Sequence, residues 1–343
     1  MGLPSEKTRN GRTPVVYDCI VVGAGMSGLA AAHTLQGAGP NFLVLEAGAA
    51  AGGRLGGVER TLQDGRTVVF DTACGHFAAD SYSFREQLED WASMALLRRH
   101  PPVYAGVGRS ERRYTAPLGM HMFAQALART LPLRRNSAVT RIERFADHYL
   151  VHTQGAAEGA LHTRSLILTT PPAESLELID EHNAARPEGR VLFEQMDYER
   201  TLTLLLALDQ TSPPNTDWNI LPPDGPVSRI IDNSAKGVSP QAGALTIHAG
   251  PSWSNLFWDG LDSDIIATLT AVAADYVRGT IVHAELLRWD RSTLINPLEI
   301  PYLTLSQFPL FVCAGDAFGG GLESAWLSGR SAAQKVLAQM PIA

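Results

Sequence analysis

Gly23, Gly25 and Gly28 stand in the run Val21-Val22-Gly23-Ala24-Gly25-Met26-Ser27-Gly28, directly after an apolar stretch and before a pattern of helical character. These types at this spacing suit the binding of a pyrophosphate. Gly23 permits a tight turn, Gly25 lets backbone approach the phosphates, and Gly28 has no side chain to hold helix and strand apart. The helix start then aims its free N–H groups at the anion. Glu46, eighteen residues after Gly28, ends the apolar run Phe42-Leu43-Val44-Leu45, where a carboxylate can accept hydrogen bonds from both ribose hydroxyls. Together they predict a dinucleotide site; the other reading of the glycines is a turn without function.

Two further clusters bear on which dinucleotide. Gly52-Gly53-Arg54 follows Glu46 within eight residues, and small residues before an arginine suit a loop that returns a planar cation to the pyrophosphate. A solvated surface loop is the alternative. Near the far end, the apolar run Phe308-Pro309-Leu310-Phe311-Val312-Cys313 leads into Ala314-Gly315-Asp316, then Gly319 to Gly321 and the helical pattern Leu322-Glu323-Ser324-Ala325-Trp326-Leu327-Ser328-Gly329. Asp316 could hold a ribityl hydroxyl, and the helix behind it could aim its positive end at the flavin N1 and O2, favouring the reduced ring. An ordinary strand and helix closing a sheet is the plainer reading. The combination predicts FAD enclosed by both ends of the chain.

With these residues in place, and with the strand end Leu166-Ile167-Leu168-Thr169-Thr170-Pro171-Pro172, the chain resembles the flavin amine oxidase superfamily over about residues 15 to 340, and within it the short renalase-like branch. The resemblance implies an α/β fold: a Rossmann-like FAD-binding lobe with p-hydroxybenzoate hydroxylase-like topology and a smaller mixed-sheet α+β substrate lobe over the flavin. It implies an FAD lobe of residues 15–80, 118–180 and 305–340, a substrate lobe of 81–117 and 181–304, and a flexible tail of 1–14. It also implies cofactor contacts from Gly23, Gly25, Met26, Ser27, Gly28, Glu46, Ala47, Gly53, Arg54, Asp71, Ala73, Val139, Thr170, Gly315, Asp316, Leu322 and Glu323. The branch oxidises off-pathway dihydropyridine isomers of NAD(P)H and passes electrons to oxygen.

The segment Phe70-Asp71-Thr72-Ala73-Cys74-Gly75-His76-Phe77 departs from the superfamily, whose members carry Asp-x-Gly-Ala-Gln there. Ala73 puts a methyl where glycine lets backbone approach the cofactor, and Gly75 removes a possible substrate contact. This segment passes close to the flavin in the family, so a covalent tether through Cys74 or His76 stands beside the simpler reading of a packed thiol.

Candidate catalytic residues are His248, Trp289 and Arg200. The run Ile247-His248-Ala249-Gly250-Pro251-Ser252-Trp253-Ser254 is similar to the family's His-Ala-x-x-x-Trp-Ser. His248 could donate to a substrate carbonyl or act as a base near neutral pH, or be structural. Trp289, with Trp253 and Trp258, could wall a planar or cationic substrate, or pack a core. Of the three lysines, Lys7, Lys236 and Lys335, none lies in the strand Thr201 to Leu208, where many amine oxidases place a lysine that holds a water at flavin N5. Arg200 and Thr201 take that neighbourhood, which favours the renalase-like branch.

These residues need elements to hold them. The patterns predict helices at Ser81–Leu97, Gly119–Leu131 and Asp262–Val277, and strands at Ala138–Phe145, His148–Thr153, Leu161–Thr170, Thr201–Leu208, Val227–Asp232, Ala244–Ala249 and Ile281–Trp289. Prolines 213, 214, 222, 223 and 226 mark a long loop, either a lid or a fixed surface segment. A net charge of -7 leaves no nucleic-acid footprint. No apolar stretch approaches the roughly 18 residues of a spanning helix, and the polar first 14 residues read as a frayed tail and not a signal peptide. Cys19, Cys74 and Cys313 are odd in number and fit a reducing cytoplasm. No histidine pair has a supporting ligand set, so no metal is expected, and no serine has a triad. The expected function is an FAD-dependent oxidoreductase acting on a small planar or nitrogen-bearing molecule, with O2 or another electron acceptor, as monomer or homodimer. An amine or amino-acid oxidase of a biosynthetic pathway and a redox-neutral flavin isomerase are the alternatives.

Overall fold

Continuous apolar runs flanked by glycine turns form parallel strands buried on both faces, and this decides the first of two compact units. The computed structural model describes residues 15–104, 110–156, 158–178, 187–214, 218–222 and 225–340. The predicted tail of 1–14 and part of the proline-rich loop lie outside them. Unit one comprises Met1–Gly53, Leu127–Asp197 and Asn296–Ala343; unit two comprises Arg54–Ala126 and Tyr198–Ile295. Residues 54–80 and 118–126, expected with the FAD lobe, therefore fall in the second unit. The reason is packing: Val68 and Phe70 join one core cluster with Leu205, Ala207, Ala242 and Ala244.

The sheet of unit one centres on Val16–Val22, whose Cys19, Ile20 and Val21 are fully buried. It runs parallel to Phe42–Leu45 on one side and to Gly159–Leu168 on the other. Leu133–Arg134 extends the sheet beyond Phe42–Leu45. The ten-residue strand Gly159–Leu168 carries two neighbours on its outer edge. Its first half pairs antiparallel with Tyr149–Gly155, which pairs in turn with Ser137–Arg144, and its second half pairs parallel with Leu310–Cys313. The helices Met26–Ala38 and Gly321–Leu337 pack against each other so closely that a Cβ at Gly329 would lie 2.0 Å from the Ser27 carbonyl oxygen.

Unit two is built on a five-stranded sheet ordered Asn219–Ile220, Val227–Asp232, Gly243–Ala249, Tyr198–Leu208, Ile281–Leu294, antiparallel throughout. Mixed pairing thus belongs to the sheet of unit one. Alternation along Tyr198–Leu208 separates two cores. Leu202, Leu204, Leu206 and Leu208 meet Ile265 and Leu269 of the helix Asp262–Val272, while Leu205 and Ala207 face the hairpin Gly57–Thr61/Thr67–Asp71. The helix Tyr82–Ser93, opened by Ser81 Oγ accepting from Phe84 N, packs Phe84 and Trp91 edge-on or tilted against Phe77 and Phe123.

A buried ion pair pins the hairpin to this sheet. Asp71 and Lys236 have fully buried side chains and bond through Oδ2 and Nζ. Asp71 Oδ1 accepts from Met120 N at 2.7 Å, and Lys236 also donates to the Gly75 carbonyl at 3.0 Å. Asn233 and Thr246 take the Asp71 backbone N–H and carbonyl. The Asp71 carboxylate, expected at the cofactor, is engaged inside this network because Lys236, which sequence reasoning passed over, neutralises it. Removing one partner of such a pair leaves an uncompensated buried charge, at a cost of about 3–5 kcal/mol. Lys236→Met should lower unfolding free energy by that amount in denaturant titration, with much of the loss recovered by adding Asp71→Asn; a change under about 1 kcal/mol would contradict the role given to the pair.

Candidate active site

The glycine turn is geometrically compelled. Gly23 adopts φ +97°, and a Cβ at Gly28 would lie 1.9 Å from the Gly23 carbonyl oxygen. Thr169 Oγ1 closes the turn by donating to Val22 O at 2.8 Å. Gly25 is the N-cap of the helix Met26–Ala38 and makes no side-chain cap bond, so the first-turn N–H groups stay available for a ligand. Ser27 Oγ is buried without a hydrogen-bond partner in the same turn. Gly52 N–H donates to Ala24 O at 2.9 Å, drawing the Gly52-Gly53 loop beside Gly25.

Glu46 sits at the carboxyl end of its strand. Its Oε2 accepts from Ala24 N at 2.8 Å and its Oε1 from Gly48 N at 2.7 Å, so two backbone donors fix the carboxylate with lone pairs to spare. Ala47 follows it in the exposed turn, and Asn136 and Ser137 donate to Gly48 O and Glu46 O, bringing the strand that holds Val139 alongside. Thr170 hydrogen-bonds Ser175 at 2.9 Å. Gly315 adopts φ +152° and donates to Ser328 Oγ at 3.1 Å; Asp316 is buried, and its carbonyl accepts from Gly320 N at the entry to the helix carrying Leu322 and Glu323. Gly23, Glu46, Thr169 and Gly315 thus gather outside the carboxyl ends of neighbouring parallel strands, where open α/β sheets bind ligands. An uncapped helix, an orphaned buried hydroxyl and a cradle that a Cβ would fill fit a dinucleotide such as FAD.

Arg54, Ala73 and Asp71 belong to unit two. The Arg54 guanidinium lies 5.5 Å over the Tyr198 ring, and Ala73 is half-buried. A Cβ at Gly75 would meet Ile231 Cδ1 at 2.8 Å, so the close approach of Ile231 requires the glycine. Burial pushes the Cys74 thiol up to about 11, and it donates to His76 O at 2.9 Å. It is therefore a protonated thiol at neutral pH, lacking the thiolate that a nucleophilic tether uses.

His248 and Trp289 share one face of the sheet in unit two. Thr203 pairs across strands with His248 and Thr201 with Trp289, and cross-strand partners project to the same side. His248 Nδ1 bonds Thr203 Oγ1 at 3.0 Å, while its Nε2 and the Trp289 indole nitrogen are buried without hydrogen-bond partners. Burial, helped by the Arg229 charge, brings His248 down to about 3. It is a neutral hydrogen-bonding group, which of the roles the sequence leaves open disfavours a base near neutrality. Arg200 is not brought to this pair. It falls at the irregularity between Glu199 and Thr201 and lies 5.0 Å over Trp258, which packs with Trp253 against the opposite core. Among the described residues no cluster suits a metal ion, and no helix is long and apolar enough to cross a membrane.

Comparison with known proteins agrees with this geometry. The pattern of the NAD(P)-binding Rossmann-like domain matches residues 21–91, and that of the flavin containing amine oxidoreductases matches residues 71–337. A protein described as a protoporphyrinogen oxidase of Exiguobacterium sp. 255-15 superposes with a TM-score of 0.69 at 13% identity, covering 95% of this chain and 100% of the other. Cyclohexylamine oxidase from Brevibacterium oxydans IH-35A gives 0.67 at 13% identity over 95% and 99%. Putrescine oxidase with putrescine bound gives 0.64 at 14% identity over 95% and 100%. With the dinucleotide cradle in place and most of its length matched, the chain belongs to the flavin containing amine oxidoreductase family and is an FAD-dependent oxidoreductase.

Proposed function

We propose that this enzyme is a renalase-like oxidase that takes a hydride from a small planar or nitrogen-containing substrate, with dihydropyridine isomers of NAD(P)H as first candidates and oxygen as electron acceptor. Bound FAD supplies the two-electron acceptor, which leaves the protein to orient the donor carbon and exclude water. The observation that carries the reading is that His248, beside Trp289 on this face, is no base poised near neutrality. His248 is held neutral down to about 3, and Lys236 is committed to Asp71. A dihydropyridine suits such a site, because losing hydride leaves an aromatic cation and no proton has to be removed in that step. The unpartnered Trp289 N–H and His248 Nε2 support this reading as hydrogen-bonding groups for the polar edge of a planar ring.

Amine oxidation is the second reading, supported by the family and by the cyclohexylamine and putrescine oxidases that share the fold. Against an aromatic amine cage, Trp258 is covered by Arg200 and Trp253 packs on Phe257 at 4.5 Å.

Anaerobic mixing of the holoenzyme with dihydropyridine isomers and, separately, with primary amines separates the readings. Rapid bleaching of the flavin by the isomers, at a rate with no ionisation from His248 between about pH 5 and 8, is expected. Bleaching by amines alone would overturn the proposal. The same histidine shift fixes a stability trend. His248 and His76 are both lowered from 6.5 to about 3, so the unfolded chain binds their protons first on acidification. Their contribution is complete above about 6.5 and is lost as pH falls toward about 3, a slope in denaturant titrations that His248→Gln should reduce.

A further inference from the structure

Arg229 is a half-buried arginine on the sheet of unit two whose side chain makes no hydrogen bond or ion pair among the described residues. Its surroundings make this unusual. It pairs across strands with His248, beside an irregularity between Val227 and Arg229, so its side chain projects to the face of His248, Thr203 and Trp289. Two residues along, Ile231 is covered by Gly75, which places Arg229 next to the segment of Cys74 and His76. Its charge is felt at Cys74, His76 and His248 alike. None of these offers it an anion. The two histidines are neutral and the thiol is protonated, while the Asp71 carboxylate in this neighbourhood is held by Lys236 and Met120.

A half-buried guanidinium with no carboxylate partner is open to an anion, whose charge-assisted bonds are stronger than those it makes to water. A second donor stands on the cross-strand partner of Arg229. When Nδ1 of His248 accepts from Thr203, the unpartnered Nε2 carries a proton and becomes a second donor on the same face. We propose that Arg229 anchors an anionic oxygen group of the substrate, a carboxylate or a phosphate, with His248 Nε2–H as its second donor. The inference rests on the reading of this face as the substrate face and narrows its substrate class to anions; Arg229 positions the substrate and takes no part in hydride loss.

Isothermal titration of the holoenzyme with benzoate, phenyl phosphate and neutral benzamide tests the assignment without turnover. At least one of the two anions should bind roughly tenfold or more tightly than benzamide, and the tighter one identifies the group as carboxylate or phosphate. Arg229→Met should abolish that preference with flavin content unchanged, and Arg229→Lys, which keeps charge and tests the same point if the methionine variant does not fold, should retain part of it. Equal affinity for all three compounds, binding by none, or a preference that survives Arg229→Met would overturn the proposal. Anion binding lost in Arg229→Met while no dihydropyridine or amine bleaches the wild-type flavin would leave the anchor standing and sink the oxidation reading; bleaching without anion preference would do the reverse.

Discussion

The closest constraint in unit one is the approach of the first helix to the strand before it. With hydrogen at Gly28 the helix comes within reach of the Gly23 carbonyl, where any Cβ would stand at 1.9 Å. One turn of that helix serves two contacts: Gly28 meets the strand end and Ser27 O meets Gly329 of the last helix. Residues three hundred positions apart are thereby held at one point, and the N–H groups of the first turn are fixed in direction. Glu46 completes the arrangement by bridging Ala24 and Gly48, so the acid that reads a ribose also braces the turn that reads a phosphate.

Unit two solves a different problem with different means. Its sheet buries leucines against a helix on one face, and on the other joins an apolar hairpin contact to a polar network around Asp71 and Lys236. Both charges of that pair are enclosed, which is tolerable only because backbone and Asn233 complete the shell. The consequence is chemical as well as structural. With the buried lysine committed and His248 and His76 neutral, the region around Trp289 offers hydrogen bonds and the Arg229 guanidinium, and His248 gives it no proton acceptor near neutrality.

The dinucleotide cradle was legible because its signal is local: Gly23, Gly25, Gly28 and Glu46 are fixed by turn geometry and strand length. The strand Val227–Asp232 has the bounds the sequence predicts, a short apolar run between turn signals being local too. The departures concern pairings that a single sequence does not display. Lys236 carried no pattern of its own, and only folding brings it to Asp71 across 165 positions. Arg200 reads as a neighbour of Thr201, yet adjacent strand residues face opposite sides, and Arg200 lies over Trp258, which packs in the core of Leu202. His248 is correctly placed at a strand end, but its charge state depends on burial supplied by residues far away in the chain.

The central claim is that FAD is held at the Gly23–Gly28 turn. Fluorescence titration of deflavinated protein with FAD tests it directly, comparing wild type with Gly28→Ala under conditions where circular dichroism reports the same fold. Saturable binding of one FAD per wild-type chain is expected, with a loss of affinity of at least about tenfold in the variant, because the added methyl pushes helix from strand and misdirects the N–H groups. Equal affinity in the two proteins would contradict it.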